Sequence, residues 1–181
     1  MDYNQLIKNW HFKASEQDYF SKFVFEYLAF IAYLKTIKYI PEDPSKTFGD
    51  RVVIQKLKQD ETIKTSYLRK VNEDRLLNVT WQELKAALDK APLGNVSQTI
   101  NAEEIQYWNC SHARKKQKTP EEKALACGVL HSLADWENMV EFWYSIRNNL
   151  FHGAKDPEVE RDQMVVRIGY VTLSRFMEMF V

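Results

Sequence analysis

From Phe20 onward, apolar side chains return every three or four residues: Phe20, Phe23, Val24, Tyr27, Leu28, Ile31 and Leu34. That is the spacing of neighbours on a helix surface, so the pattern predicts a helix. Ser15, Glu16 and Asp18 stand ahead of it as acceptors for the free N–H groups of a first turn, and Pro41-Glu42-Asp43-Pro44 ends it. The stretch is apolar over much of its circumference, as a central bundle helix would be. Further helices are predicted from about Lys46 to Gln59 and from about Glu61 to Val71. Thr80-Trp81-Gln82-Glu83 reads as a capping box opening a short helix that runs to about Lys90.

Residues 91–119 break the pattern and form an irregular insert, with Pro92, Gly94 and Asn95 early in it and room for a short helix after Asn101. Thr119-Pro120-Glu121-Glu122 combines a cap, a first-position proline and two acids, which predicts the start of a long helix. It runs, with room for a kink near His131, to Phe151-His152-Gly153, where glycine supplies the stop. Asp156-Pro157-Glu158 opens a last helix carrying Met164, Val165, Ile168, Val171, Leu173, Phe176 and Phe180. The expected fold is all-α, a single helical domain over residues 1–181.

Composition sharpens this in two respects. A hydrophobic content of 45% with 13% aromatics is enough for a real core in 181 residues, and five glycines with five prolines are too few for a many-stranded sheet. The 25 basic and 25 acidic side chains cancel, so there is no global cationic field, and any nucleic-acid binding must rest on a local patch. Cys110 and Cys127 form no ligand-spaced set, no metal or other cofactor is expected, and a reducing compartment suits them. The opening MDYNQLIKNWHF lacks the basic and apolar regions of a secretory signal, and no uninterrupted apolar run reaches the roughly 18 residues of a membrane span. A cytoplasmic protein without membrane contact is expected.

The chemistry concentrates between Trp136 and Gly153. At about 100° per residue, Trp136, Val140, Trp143 and Phe151 fall within about 40° of Arg147. A guanidinium in an apolar stripe is costly unless an acid meets it, Glu141 or one elsewhere in the chain. Glu141, Ser145, Asn148 and His152 make a separate polar stripe. Arg147 and His152 lie about 140° apart on an undistorted helix, so one chain alone does not aim both at one atom. A symmetric dimer that brings two helix ends together would, with Trp136, Trp143 and Phe151 as its apolar contact.

Arg147-Asn148-Asn149-Leu150-Phe151-His152-Gly153 resembles the R-N-x-x-x-H form of the R-x(4–6)-H signature of HEPN-domain ribonucleases. The likeness is strongest over residues 119–181, where the motif closes one long helix and a short proline-containing turn leads to another. It implies an antiparallel helical bundle of HEPN type, here with extra N-terminal and mid-chain helices, that dimerises and shares a composite cleft. It also implies a metal-independent endoribonuclease, of the kind found in toxin–antitoxin and antiviral defence systems, with RNA as substrate and an antitoxin protein as a possible partner. His152 would be the general base or acid, Arg147 would hold the phosphate, and Asn148 would orient one or the other.

Each residue also has a plainer role. For Arg147 it is that of a paired core residue, as most such arginines are. A histidine before a terminating glycine is often just a favourable charge at a helix C-terminus. Arg114, Lys115, Lys116 and Lys118, with His112 beside them, offer phosphate contacts, yet such runs are most often solvated loops. Trp10, Trp81 and Trp108 suit packing better than base stacking, and His11 and His131 have no ligand-spaced partners. Two alternatives to the nuclease therefore remain: a non-catalytic HEPN-like module that binds nucleotide or protein, and a purely structural helical protein.

Overall fold

Aspartates punctuate the first half of the chain. Asp18 Oδ1 accepts from the Phe20 and Ser21 N–H groups at 2.9 and 3.2 Å, and starts a helix. Asp60 and Asp74 are single-residue joints, each ending one helix and capping the next, with side chains accepting from Ile63 N–H (3.0 Å) and Leu77 N–H (3.1 Å). Both satisfy free N–H groups that would otherwise be left unbonded at a helix start. The computed structural model describes residues 2–14, 18–43, 45–94 and 128–181. Its elements are α1 (Tyr3–Ala14), α2 (Tyr19–Tyr33), α3 (Asp50–Gln59), α4 (Glu61–Glu73), α5 (Arg75–Lys90), α6 (Trp136–Phe151) and α7 (Glu160–Met177). The fold is all-α, with no strand element among the described residues.

Two boundaries differ from the sequence expectation. The helix predicted from Thr80 begins at Arg75 instead, because Asp74 is the cap; Thr80 sits inside α5 and its hydroxyl donates to the Leu76 carbonyl at 2.7 Å. A Thr-x-x-Glu string inside a helix is indistinguishable from a capping box until the backbone is known. The long helix predicted from Thr119 does not run unbroken to Phe151. Residues 128–135 are turns and bends, and α6 starts only at Trp136, with Asp135 Oδ2 accepting from the His131 N–H (2.9 Å) and from the Asn138 amide (2.7 Å). The 119–122 start signal, Trp108, Cys110, His112 and Cys127 lie outside the described residues, as does most of the 91–119 insert.

The core forms where α2, α6 and α7 meet. Helix α2 packs against α1 and α7, α6 against α3 and α7, and α5 against α7. Gly169 of α7 permits the close approach, since a Cβ there would stand 2.5 Å from Ile146 Cδ1 and 3.1 Å from the Phe23 ring. Trp81, Trp136 and Trp143 are buried, and each indole N–H has an acceptor: Tyr67 Oη (3.1 Å), the Leu57 carbonyl (3.1 Å) and Thr172 Oγ1 (2.9 Å). Pairing them removes the penalty of a buried donor, so the rings contribute their full apolar area. Trp10 stacks on Phe25 at 5.5 Å. Packing is thus the role of Trp10 and Trp81. No helix among the described residues is long and apolar enough to cross a membrane.

Helix α2 continues into one π-helical turn, Leu34–Lys38, closed by the Tyr39 N–H on the Leu34 carbonyl at 2.9 Å. Such widened turns are rare and recur at functional sites.

Helix α1 is tied down by an ionisable pair. His11 Nδ1 lies 2.8 Å from Glu26 Oε1, and Glu26 is fully buried, its Oε2 without a partner. The bond to Glu26 raises the His11 pKa against the opposing effect of burial, with Glu178 adding a little. Burial raises the Glu26 pKa and His11 only partly offsets it. Both folded values exceed the unfolded ones, so the stabilisation is complete below the ordinary values of 4.5 and 6.5 and is lost as pH rises through the raised values. The melting temperature is therefore expected to fall between pH 5 and pH 8.5 by more in the wild type than in Glu26→Gln. Equal falls in thermal scans would show that the pair does not carry the dependence.

Candidate functional site

Helix α6 is buried almost all round: of its 16 residues only Glu137 and Phe151 are exposed. Its C-terminal end is different. His152 caps it, Gly153 follows at φ +68°, and the chain turns back with the Ala154 N–H on the Asn149 carbonyl (2.8 Å) and the Gly153 N–H on the Leu150 carbonyl (3.1 Å). This paired closure needs a left-handed residue, which a side chain makes costly and glycine does not. The glycine stop predicted from sequence is thus present. It leaves His152 exposed at the negative end of the helix dipole.

Arg147, one turn earlier, is half-buried. Its Nη1 donates to Asn148 Oδ1 at 3.0 Å, its Nη2 lies 3.5 Å from Asp50 Oδ2, and its guanidinium sits over the Phe151 ring at 4.8 Å. The acid that meets Arg147 is therefore Asp50, at the first position of α3. The carboxylate also bonds Lys35 of the π turn, Oδ1 to Nζ at 3.0 Å. Glu141 is otherwise engaged. Fully buried, it takes both oxygens to Arg51 Nη1 (2.7 and 2.8 Å) and also accepts from Lys58.

Two hydroxyls are buried with no hydrogen-bond partner, those of Tyr27 and Ser145. Burial pushes the Tyr27 hydroxyl well above its usual range; the Asp50 charge adds to this and Arg147 opposes it, so both lie within electrostatic reach of the ring oxygen.

Arg147 and Asn148 are thus joined, whereas among the described residues no hydrogen bond or ion pair links either side chain to the His152 imidazole. The His152 backbone N–H does return to the Asn148 carbonyl at 3.0 Å. The polar stripe divides: Glu141, Ser145 and Asn148 are buried and only His152 is open. Of the three aromatics expected to form a dimer contact, Trp136 and Trp143 belong to the core, because α7 and α4 cover that side of α6 with Phe176 and Tyr67; Phe151 alone is exposed, at 59%. Arg114, Lys115, Lys116 and Lys118 lie outside the described residues. The two ends of that segment are close, with the Leu93 N–H on the Gly128 carbonyl (2.9 Å) and the Asn149 amide on the Gly94 carbonyl (2.9 Å).

Comparison with protein-family models, with curated proteins and with solved structures gave no match. The case for a function therefore rests on this chain's own residues. Two surface cavities, about 540 Å³ beside Lys38, Phe48 and Lys56 and about 550 Å³ beside Tyr19, Arg161 and Arg167, include neither Arg147 nor His152 in their walls. Sequence reasoning missed Lys35, Asp50 and Tyr27. Asp50 shows only as an acid in a first turn, and nothing local to Lys35 or Tyr27 points toward a residue about a hundred positions later.

Proposed function

We propose that this protein is a metal-independent endoribonuclease of HEPN type, acting through Arg147 and His152. The observation that supports this most directly is the end of α6, where a partly exposed guanidinium, steadied by Asn148 and laid on Phe151, precedes an exposed imidazole by little more than one turn. These are the groups that phosphodiester transesterification needs. His152 takes the proton from the ribose 2′-hydroxyl as its oxygen attacks phosphorus; the P–O5′ bond breaks and the leaving oxygen takes a proton from the imidazole of the second motif in the composite cleft. The products are a 2′,3′-cyclic phosphate and a 5′-hydroxyl. Arg147 holds the phosphate through its N–H donors and stabilises the added negative charge at the transition state. One histidine per chain supplies one proton-transfer group, so a homodimer, with a second motif across a composite cleft, is part of the proposal. A toxin or antiviral defence role in the cytoplasm, with an antitoxin partner, fits such an activity.

The test is incubation of purified protein with mixed RNAs in EDTA. Cleavage with cyclic-phosphate ends is expected, falling by about 10²–10⁴ in His152→Ala and by about 10²–10³ in Arg147→Ala. Cleavage that persists undiminished in both variants would remove the proposal. The separation of Arg147 from His152 and the ion pair with Asp50 favour a second reading, a non-catalytic HEPN-like module that binds nucleotide or protein. It predicts no RNA turnover together with a measurable complex.

A further inference from the structure

We infer that Lys35 and Arg147 together form a phosphodiester-binding site, and that the Asp50 carboxylate fills it until RNA displaces it. The inference rests on the nuclease reading only for the identity of the ligand. The two cations come from opposite ends of the chain and converge on one small anion, Lys35 Nζ at 3.0 Å from Oδ1 and Arg147 Nη2 at 3.5 Å from Oδ2. A phosphodiester carries the same charge of minus one, and its two free oxygens can take the same two donors.

The two contacts are unequal, and the inequality makes exchange feasible. At 3.5 Å the Arg147 contact is at the limit of a hydrogen bond, whereas the Lys35 contact is an ordinary one. All three side chains are about a third exposed or less, at 32% for Lys35, 27% for Asp50 and 29% for Arg147, so an anion from solvent can reach them. On leaving Arg147, Asp50 is not stranded. It sits in the first turn of α3, whose positive N-terminal end favours a carboxylate.

Two further features belong to the same part of the fold. The Tyr27 hydroxyl is buried, has no partner, and lies within reach of the charges on Asp50 and Arg147. A buried donor with no acceptor is destabilising. Lys35 lies on the π turn, the one departure from α-geometry among the described helices. Glu141 and Tyr144 are the other ionisable groups that act on Tyr27; Glu141 is already bonded to Arg51 and Lys58 and does not compete for Arg147.

The test measures binding, so that it does not depend on turnover. Full-length His152→Ala protein is titrated with a 2′-O-methyl oligoribonucleotide that cannot be cleaved, alone and with added Asp50→Asn, Asp50→Ser or Lys35→Ala. Both Asp50 substitutions are expected to tighten binding several-fold, because an uncharged side chain no longer competes. Lys35→Ala is expected to weaken it and to lower the slope of log affinity against log salt by about one. Inorganic phosphate at millimolar concentration should compete in the Asp50 variants; if it alone bound and the oligoribonucleotide did not, the RNA assignment would be overturned. Asp50→Ser keeps a hydrogen-bonding side chain at the helix start, and circular dichroism checks that each variant is folded. Unchanged or weaker binding in both folded Asp50 variants would overturn the proposal. RNA cleavage by the wild type alongside that result would leave the nuclease reading intact, and tightened binding without cleavage would do the reverse.

Discussion

Replacing Glu141 by alanine is expected to cost about 3–5 kcal/mol of folding stability, a large part of the total that a domain of this size has. The carboxylate is completely buried in α6, and the Lys58 side chain that meets it from α3 is only 5% exposed. Arg51, the other partner, is 32% exposed and can turn to water. Removing Glu141 therefore strands one ammonium inside the fold, and a buried charge without its partner is among the most destabilising defects a single substitution makes. Desolvation of the pair opposes its attraction, so deleting both charges should be mild. Glu141→Leu combined with Lys58→Met is expected to recover most of the loss. Urea titrations of the single and double variants measure this. A loss below about 1 kcal/mol in Glu141→Ala would mean that Lys58 escapes to solvent and the ion pair is not a buried one.

Trp143→Ala is the second large effect, with an expected loss of about 3–5 kcal/mol. The indole is fully buried, with ring centroids at 5.2 Å from Phe176, 5.6 Å from Tyr67 and 5.9 Å from Phe30, edge meeting face in the Tyr67 and Phe30 pairs. Helices α2, α4, α6 and α7 each contribute a ring to this cluster. No single neighbour can close the space that alanine would leave, and an unfilled cavity adds to the lost transfer energy. Trp143→Phe retains most of the apolar volume but loses the 2.9 Å bond to Thr172 Oγ1, and should cost about 1–2 kcal/mol. The Thr172 hydroxyl still donates to the Ile168 carbonyl at 2.8 Å, so only an acceptor is vacated. Equal losses for the two variants would shift the weight from packing to the hydrogen bond.

Glu141 and Trp143 lie on the same helix that carries Arg147 and Asn148. Substitutions on the buried faces of α6 disturb the frame, whereas Arg147, Phe151 and His152 lie at its accessible end. A loss of the proposed RNA cleavage at those three positions, in variants that keep the wild-type melting temperature, would report on chemistry rather than on folding.

Much of the helical layout was legible along the chain. Spacing of apolar residues located α2, α3, α4 and α7 to within a few residues, and the end of α6 but not its start, because helix formation depends on neighbours three and four apart. The terminal glycine of α6 was equally legible, since Gly153 is needed for a local backbone reason, its positive φ. The separation of Arg147 from His152 along the helix followed from geometry alone. What only the tertiary structure decided is which charges meet. Glu141 was the nearest acid in sequence to Arg147, yet it pairs with Arg51 and Lys58, while Asp50 pairs with Arg147 and Lys35. Those partners lie 15, 83, 90 and 97 positions apart. The burial of Trp136 and Trp143 was decided in the same way. A wheel shows that a helix has an apolar face but not what covers it; here the rings of α2, α4 and α7 do so, and the register in which those helices pack against α6 chooses its ionic partners.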